Sequence, residues 1–352
     1  MHENKFSAKE GKSDFKITQK LIWILRSQIR GAVCKFIENI LILKYYSNMQ
    51  IFNEFNTNPD LSLCLGFFDG VHEGHKVVLK NAVNLAKQNN IKSAVITFKE
   101  HPLCYLQNRT PQYIISLQDR LDLIAQQGVD YAYVIDFDDK IADSLAKDYL
   151  KDFIVKNFSP KFITTGFNHY FGANKQGHSS FLRANQTEFG YKFFEIPPIT
   201  FNNTLISSTK IRELITAGNC EKIPNLLGEN FYIKGRVITG QRLGRTLSFP
   251  TINLKYPKDI IKIPRGAYIC NVEIDGDIYN AIANLGKRPT VNAALGLVLE
   301  AHLLDFSGNL YDKDVKISFV KKMRDEKKFP SLPDLKSQLV KDEQIARQYF
   351  QI

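Results

Sequence analysis

The residues best suited to chemistry lie in one short segment with the pattern G-x-F-D-G-x-H-x-G-H, from Gly66 to His75. An apolar run precedes it and an amphipathic pattern follows it, so we expect a turn between a buried strand and a helix. Small residues let the backbone approach a ligand, and helix N-terminal N–H groups favour an anion. The imidazoles of His72 and His75 can face one bound phosphate. The segment predicts a nucleotide site, although the two histidines could instead be simple polar caps.

A second polar cluster runs from Ser207 to Arg212, with the sequence Ser-Ser-Thr-Lys-Ile-Arg. Three hydroxyls at the start of a predicted helix can simply cap it. Because a guanidinium follows one turn later, they also suit a triphosphate, which N–H groups, hydroxyls and a guanidinium fork can bind together. Together with the Gly66–His75 segment, this cluster indicates adenylyl transfer.

In the second half of the chain, a glycine-bracketed basic loop contains Gly240, Gly244 and Arg245 and leads into a predicted strand with Thr251 and Asn253. The N–H groups of such a loop can bind phosphates, and the hydroxyl and amide oxygens can bind Mg²⁺. The alternative is an ordinary hairpin whose Thr and Asn merely share one face of a strand.

One carboxylate stands alone in an apolar predicted strand. Glu300 is the only acidic residue between Leu297 and Leu304. Such a residue often just faces solvent. Phosphoryl transfer to a hydroxyl, however, needs a base that orients the attacking group and accepts its proton.

The elements that must position these residues change in kind near Gly218. Before it, strand-like and helix-like runs alternate, which predicts an α/β domain with a doubly wound parallel sheet and a ligand at the carboxyl ends of its strands. We predict strands over 61–67, 93–98, 131–137, 162–165 and 192–196, and helices around 76–89, 116–127 and 142–157.

After residue 230 short strands follow one another without helices between them. They are predicted over 231–238, 251–255, 267–274, 278–284, 297–306 and 315–322, and a helix over 332–350 closes the chain. The dipeptide Asp275-Gly276 is a strong hairpin signal. The pattern predicts a small six-stranded antiparallel β-barrel followed by a C-terminal helix.

These patterns divide the chain into a first domain over 49–218, a linker over 219–230 and a second domain over 231–352. Residues 1–48 form a basic extension, with nine Lys and Arg against four Asp and Glu. We expect residues 1–16 to be disordered and residues 18–46 to be helical. The extension would be a basic helix at a membrane surface or a targeting leader, or it is not normally translated because Met49 is the true start.

Composition narrows the class of protein. Hydrophobic residues make up 44% of the chain and charged residues 24%, as in ordinary globular proteins. The net charge of +11 comes without an aromatic-interleaved basic stripe, so small phosphorylated ligands are favoured over nucleic acid. The five cysteines are widely spaced without C-x-x-C pairs, which predicts a reducing compartment, the cytoplasm, and no disulfide framework. We expect no transmembrane segment, and the sequence does not specify an oligomeric state.

From about residue 50 to 350 the chain resembles the bacterial bifunctional riboflavin kinase/FAD synthetase family. The H-x-G-H and I-S-S-T-x-I-R motifs resemble those that mark its adenylyltransferase site, and Thr97–Pro102 and Gly166–Gly172 resemble two of its other landmarks. Gly235–Asn253 resembles the riboflavin kinase motif of the family. The resemblance implies a nucleotidyltransferase-type α/β domain and a riboflavin-kinase-like barrel.

The resemblance also implies a role for each candidate residue. In the first domain, His72 and His75 would stabilise charge at the α-phosphorus, and the nucleotide-binding residues would be Gly66, Phe68, Asp69, Asn168, Ser207, Ser208, Thr209 and Arg212. In the second domain, Glu300 would be the general base, and Thr251 and Asn253 would bind the magnesium of ATP. The nucleotide would be bound by Gly240, Gly244 and Arg245. Arg324 would contact the flavin.

The activity expected from this resemblance has two steps. Riboflavin and ATP would give FMN and ADP, and FMN and a second ATP would give FAD and pyrophosphate, with Mg²⁺ as cofactor. Three departures from the family pattern stand out: Glu100 replaces a proline, Lys175 an arginine and Ser248 a glycine. Two alternatives stay open: a kinase whose first domain has lost adenylylation, given Glu100 and Lys175, and a non-catalytic flavin-responsive binding protein that keeps the pockets.

Overall fold

The computed structural model describes residues 49–55, 60–109, 112–240, 247, 249–287 and 296–352. The chain divides into two compact units, Met1–Gln50 and Ile51–Ile352. Of the first unit only Met49 and Gln50 are described, so the predicted extension over 1–48 lies outside the described residues. Gly244, Arg245 and Ser248 lie outside them as well.

The first sheet has the strand order β1-β4-β3-β2-β5-β6. Its strands are β1 (Gln50–Phe52), β2 (Ser62–Leu65), β3 (Ser93–Phe98), β4 (Tyr131–Ile135), β5 (Phe162–Gly166) and β6 (Lys192–Ile196). The pairs β2/β3, β3/β4, β2/β5 and β5/β6 are parallel. Because the chain moves one way from β2 to β4 and the other way through β5 and β6, the order reverses beside β2. The predicted doubly wound α/β fold is confirmed, and its switch point is where such sheets bind ligands.

Helices connect these strands. They are α1 (Glu73–Gln88), α2 (Pro102–Gln107), α3 (Leu117–Ala125), α4 (Asp139–Ala142), α5 (Ala146–Asp148), α6 (Lys156–Phe158), α7 (Ser179–Phe189) and α8 (Ser208–Ala217), with a small hairpin of β7 (Thr200–Phe201) and β8 (Thr204–Leu205) before α8. The helix predicted over 142–157 is irregular, because a π-helical stretch over Tyr149–Val155 separates α5 from α6. Helix α7 was not predicted, although Leu182 is buried and Phe181 and Phe189 pack against the core of the first domain.

The sheet of the first domain is apolar on both faces. All four residues of β2 are buried, as are five of the six residues of β3. One core cluster includes Leu63 and Ile96 from the strands together with Leu150 and Phe158 from the α5–α6 region. Burial on both faces is what a parallel sheet covered by helices requires.

The second domain is a six-stranded antiparallel barrel, as predicted. Its strands are β9 (Tyr232–Arg236), β10 (Ile252–Lys255), β11 (Gly266–Ile274), β12 (Asp277–Lys287), β13 (Leu297–Leu303) and β14 (Asp314–Asp325), in the order β10-β13-β12-β11-β14-β9. A bridge between Ile238 and Asn253 joins the two ends of this order. The predicted hairpin is present, because Asp275 and Gly276 have φ values of 51° and 86° between β11 and β12.

Two further helices complete the described fold, α9 (Pro224–Leu227) before the barrel and α10 (Leu332–Phe350) at the end of the chain. The 219–230 segment is packed rather than loose, since Ile223 and Leu227 are almost fully buried. Within this segment, α9 ends at Gly228, which has a φ of 89°. Helix α10 packs on the barrel through Ala346, next to Ile269 and Ile282.

Candidate active sites

His72 and His75 lie together where α1 begins. Nδ1 of His72 accepts a hydrogen bond from the His75 main-chain N–H at 3.2 Å, so His72 is the N-cap of the helix. The two rings stack, with centroids 3.6 Å apart and planes 15° apart. The histidines are therefore caps and also a fixed pair of rings beside N–H groups that favour an anion.

The close packing of these rings explains the small residues around them. A Cβ at Gly74 would lie 3.2 Å from the His72 ring, and one at Gly66 would lie 2.9 Å from the ring of Phe68. Phe68 is buried with a φ of 59°, and its ring meets His75 edge to face at 5.2 Å. Phe68 thus packs against the His75 ring and helps to fix its orientation.

Burial keeps both histidines neutral. It lowers the pKa of His72 to about 4. It lowers the pKa of His75 well below its usual value, with a further contribution from the neighbouring His72 and Arg212. Among the described residues, Nδ1 of His75 is buried without a hydrogen-bond partner. At neutral pH these rings can offer N–H donors to a phosphate without carrying charge.

Arg212 and Asp69 form an ion pair beneath the cleft. Nε of Arg212 also donates to the Gln112 carbonyl at 3.2 Å, and the Ile114 N–H donates to both carboxylate oxygens of Asp69 at 3.0 and 3.1 Å. The hydroxyl of Ser208 donates to the Asp69 carbonyl at 3.0 Å. Asp69 is 3% exposed. Its carboxylate holds Arg212 in place, and its carbonyl holds the start of α8.

All ten site residues predicted for the first domain line one cavity of ≈ 340 Å³: Gly66, Phe68, Asp69, His72, His75, Asn168, Ser207, Ser208, Thr209 and Arg212. Ser207 caps α8 by accepting the Lys210 N–H at 3.2 Å, so its hydroxyl has the plain capping role as well. The cavity lies at the carboxyl ends of β2 and β5, beside the reversal of strand order.

A larger and more apolar cavity of ≈ 670 Å³ adjoins the first one. Both are lined by Leu65, Gly66, Phe67, His101, Leu103, Asn168 and His169. Aromatic residues dominate the far wall of the larger cavity, where Phe98, Phe137 and Tyr149 contribute. The first domain therefore has a polar pocket that continues into an aromatic one.

Arg120 was not among the predicted site residues. It is 3% exposed, donates to the carbonyls of Phe67 at 3.0 Å and Phe98 at 2.6 Å, and lies 4.0 Å from the centre of the Phe67 ring. Burial lowers its pKa to about 10. It joins the carboxyl ends of β2 and β3, and a lone arginine in a helical pattern gave no signal of this.

In the barrel, Glu300 lies directly opposite two amide side chains. It pairs with Asn253 on β10 and with Asn284 on β12, so the three side chains share one face of the sheet. The next row, Leu254 opposite Leu299, is fully buried and faces the barrel interior. Asn253 is 5% exposed. The antiparallel register thus brings the predicted base beside a predicted magnesium ligand.

The other barrel residues are more scattered. Thr251 lines a cavity of ≈ 380 Å³ with Pro250 and Phe306, and Gly240 follows the bridge between Ile238 and Asn253 by two residues. Arg324 lies on β14, three strands along the sheet from Glu300.

The guanidinium of Arg324 is held by the C-terminal helix. It donates to both carboxylate oxygens of Asp342 on α10, at 2.7 to 3.1 Å, and Asp342 is 1% exposed. Gln338 also donates to Asp342, at 2.9 Å. A contact of Arg324 with a flavin would therefore use the part of its side chain that this ion pair leaves accessible.

Oxygen ligands suit a magnesium ion at this place in the barrel. Asn253 and Thr251 offer amide and hydroxyl oxygens, which Mg²⁺ prefers as ligands, and of the two only Thr251 lines the cavity of ≈ 380 Å³. In the part of the chain that the structure describes, no three His, Cys, Asp or Glu side chains converge on a metal site.

A parallel sheet with a phosphate-binding junction, followed by an antiparallel barrel with a carboxylate beside oxygen ligands, defines a two-domain nucleotide-dependent transferase. A sequence model described as FAD synthetase matches residues 54–210, and one described as riboflavin kinase matches residues 227–350. The chain belongs to the bifunctional riboflavin kinase/FMN adenylyltransferase family.

Relatives with that name agree with this membership. The one from Haemophilus influenzae is 37% identical, with 82% of this chain and 94% of the relative covered. That from Escherichia coli K12 is 34% identical over 82% of this chain and 92% of the relative. A solved structure from Streptococcus pneumoniae, described as a macrolide-efflux protein, has a TM-score of 0.76 and 29% identity, and covers 85% of this chain and 99% of that chain. Among the residues described here, no helix is long and apolar enough to cross a membrane.

Proposed function

We propose that this protein makes flavin cofactors in two ATP-dependent steps. The barrel phosphorylates riboflavin to FMN with release of ADP, and the first domain joins FMN to the adenylyl group of a second ATP, giving FAD and pyrophosphate. The observation that carries the proposal is the convergence of nine residues from both first-domain motifs, together with Asn168, on one cavity, in a chain that also matches the riboflavin kinase model.

In the adenylyl transfer, a phosphate oxygen of FMN attacks the α-phosphorus of ATP and pyrophosphate leaves. His72 and His75 donate hydrogen bonds to the oxygens on which charge develops. Their neutrality suits this role, because a neutral N–H donor is already in place and needs no proton from solution. Arg212 and the hydroxyls at the start of α8 hold the departing phosphates. The contribution of these side chains is positioning and charge stabilisation, without a covalent intermediate.

The two adjoining cavities suit the two parts of the joined product. The polar cavity offers hydroxyls, imidazoles and a guanidinium to phosphates, whereas the larger one offers Phe98, Phe137 and Tyr149 to a flat aromatic ring. We place the isoalloxazine of FMN in the larger cavity, with its phosphate toward His75. Lys175 lines the same cavity, so its replacement of arginine keeps a cation at the rim.

In the phosphorylation, Glu300 accepts the proton of the ribityl 5′-hydroxyl as that oxygen attacks the γ-phosphorus. Thr251 and Asn253 hold the magnesium, which neutralises charge on the phosphates when bound. Gly240, Gly244 and Arg245 contact the nucleotide, and Arg324 contacts the flavin.

We also propose that the division between the two domains falls within residues 219–230, which is supported by family models that end at 210 and begin at 227. The four described cysteines are free thiols, which supports a reducing compartment, the cytoplasm. The substrates are small molecules, and we propose no nucleic-acid partner.

One incubation tests the proposed function against its alternatives. The protein is mixed with riboflavin, ATP and Mg²⁺, and the flavins are separated by chromatography. We expect FAD. Accumulation of FMN alone would instead support a kinase with a degenerate first domain, and unchanged riboflavin would support a binding protein.

A further inference from the structure

A three-residue segment, Gln112–Ile114, contacts both domains, and we refer to it as the bridging segment. On the side of the first cleft, the Gln112 carbonyl accepts from Arg212, and the Ile114 N–H donates to the carboxylate of Asp69. Between them, the Tyr113 hydroxyl accepts the His101 N–H at 3.1 Å. Each residue of the segment thus holds a group that lines the adenylyltransferase cavity.

On its other side the bridging segment is bonded to the second domain. The Tyr113 N–H donates to the Asp259 carbonyl, and the Ile261 N–H donates to the Tyr113 carbonyl, both at 2.8 Å. These two bonds form a short parallel bridge between Tyr113 and Ile260. Ile260 and Ile261 are each 4% exposed, so this part of the second domain is packed.

The partner strand of this bridge is anchored in the barrel domain. The Tyr256 hydroxyl donates to the Ile261 carbonyl at 2.7 Å. The whole Tyr256 residue is 4% exposed. Tyr256 follows β10, the strand that carries Asn253. The position of the bridging segment is therefore set by the barrel domain as well as by its own.

We infer that residues 259–261 of the barrel domain position Arg212 and Asp69 for adenylyl transfer by holding the bridging segment. The second domain then completes the active site of the first, with Tyr113 as a positioning residue that does not touch substrate. The inference rests on the proposed adenylyltransferase function. Its physical basis is that an error of about 1 Å in the placement of a catalytic group can cost ~10²-fold in rate.

A second contact between the domains provides a contrast. Lys234 of β9 forms an ion pair with the buried Asp119 of α3. Asp119 also accepts a hydrogen bond from the Ser116 hydroxyl at 2.6 Å. Neither Lys234 nor Asp119 lines the cavity of the first domain. A Lys234→Gln variant therefore loosens the domain interface without touching the bridging segment.

The test compares Ile261→Pro with Ile261→Ala. Both variants lose the buried side chain, but only proline removes the N–H that donates to Tyr113. In the full-length protein we expect kcat/KM for ATP in FMN adenylylation to be roughly tenfold lower for the proline variant. Riboflavin phosphorylation should be equal in the two variants, and Lys234→Gln should leave adenylylation close to wild type.

A double-mutant cycle with Arg212→Ala shows whether the effect passes through Arg212. If it does, the proline substitution adds little in the Arg212→Ala background, whereas independent effects multiply. Tyr256→Phe, which is isosteric, is a gentler second variant and should lower adenylylation about threefold, a fraction of a full hydrogen-bond loss. Equal adenylylation in the proline and alanine variants overturns the inference. So does a proline variant in which adenylylation and riboflavin phosphorylation fall equally, and so does a cycle in which the effects of the proline and Arg212→Ala substitutions multiply. Absence of FAD with the wild-type protein would overturn the proposed function instead.

Discussion

The candidate residues of the first cleft come mostly from two short segments, Gly66–His75 and Ser207–Arg212, whereas those of the barrel come from the segment 240–253 and from two further strands, β13 and β14. In the cleft, ring stacking fixes His72 and His75, and an ion pair with the buried Asp69 fixes Arg212. In the barrel, Glu300 meets Asn253 because two antiparallel strands pair in one register. The first site thus depends on two helix starts that side-chain contacts with Asp69 hold together, and the second on the register of paired strands.

The largest expected effect separates the two sites at the barrel. Glu300→Gln keeps the shape of the side chain but removes the base, so FMN formation from riboflavin should fall by ~10²–10⁴-fold. FAD formation from supplied FMN should survive, because no residue of the cleft changes. Both rates are measured by chromatography of the flavins. Glu273→Gln, on strand β11 of the same barrel, is the matched control and should keep both activities.

Loss of both activities in a folded Glu300→Gln protein would contradict the two-site comparison. Retention of full kinase activity would return Glu300 to the plainer role of a solvent-facing carboxylate.

The reverse effect is expected from His75→Ala. Removing one donor from a charge-stabilising site typically costs ~10²–10³ in rate, so FAD formation from FMN should fall by that factor while FMN formation continues. Steady-state assays with supplied FMN and with riboflavin give the two rates. His178→Ala, an exposed histidine of the same domain, should change neither. A His75→Ala protein that still adenylylates FMN at the normal rate would leave the histidines with a capping role alone.

A smaller effect tests the magnesium ligands. Asn253→Ala removes an amide oxygen beside Glu300, and the Mg²⁺ concentration that half-saturates riboflavin phosphorylation should rise about tenfold. Adenylylation should keep its magnesium dependence. The control is Asn271→Ala on β11, which removes a barrel amide bonded to Asn280 at 3.1 Å. An unchanged magnesium requirement in Asn253→Ala would exclude this residue as a ligand.

The sequence was sufficient for features that depend on local pattern. Alternation of strands and helices predicted the first fold, and closely spaced strands with Asp275-Gly276 predicted the barrel. The first cleft was predictable because each of its two motifs is a short run of residues whose types and spacing indicate phosphate binding, although the motifs themselves lie far apart in the chain. Helix α1 nevertheless begins at Glu73 rather than near Lys76, because the ring of His72 serves as the N-cap.

Contacts between distant residues could not be predicted in this way. Arg120 looked like any helix-surface arginine until tertiary folding placed it under the ends of two strands. Arg324 and Asp342 are eighteen residues apart, in a strand and a helix, and no periodicity links them. The bonds of Tyr113 to Asp259 and Ile261 depend on how two domains pack, which one-dimensional patterns do not encode.

The smallest predicted effect concerns acid stability of the first site. His72 has an ordinary pKa of 6.5 when unfolded and about 4 when folded. Between these values the unfolded chain binds a proton at His72 that the folded protein does not bind. The contribution of His72 to the free energy of unfolding is therefore fully present above pH 6.5 and is lost as the pH drops toward 4. The loss amounts to about 1.4 kcal/mol per pH unit for one such group.

Urea unfolding followed by circular dichroism at pH 7.5 and pH 4.5 measures this loss. His72→Asn keeps an N-cap acceptor but cannot titrate, so its difference in unfolding free energy between the two pH values should be about 2 kcal/mol smaller than that of the wild type. His178→Asn should behave as the wild type. An equal acid loss in His72→Asn would mean that folding does not lower the pKa of His72. Because the residues of the barrel site lie in another domain, riboflavin phosphorylation at pH 7.5 should be the same in all three proteins, which shows that the substitutions leave the barrel domain intact.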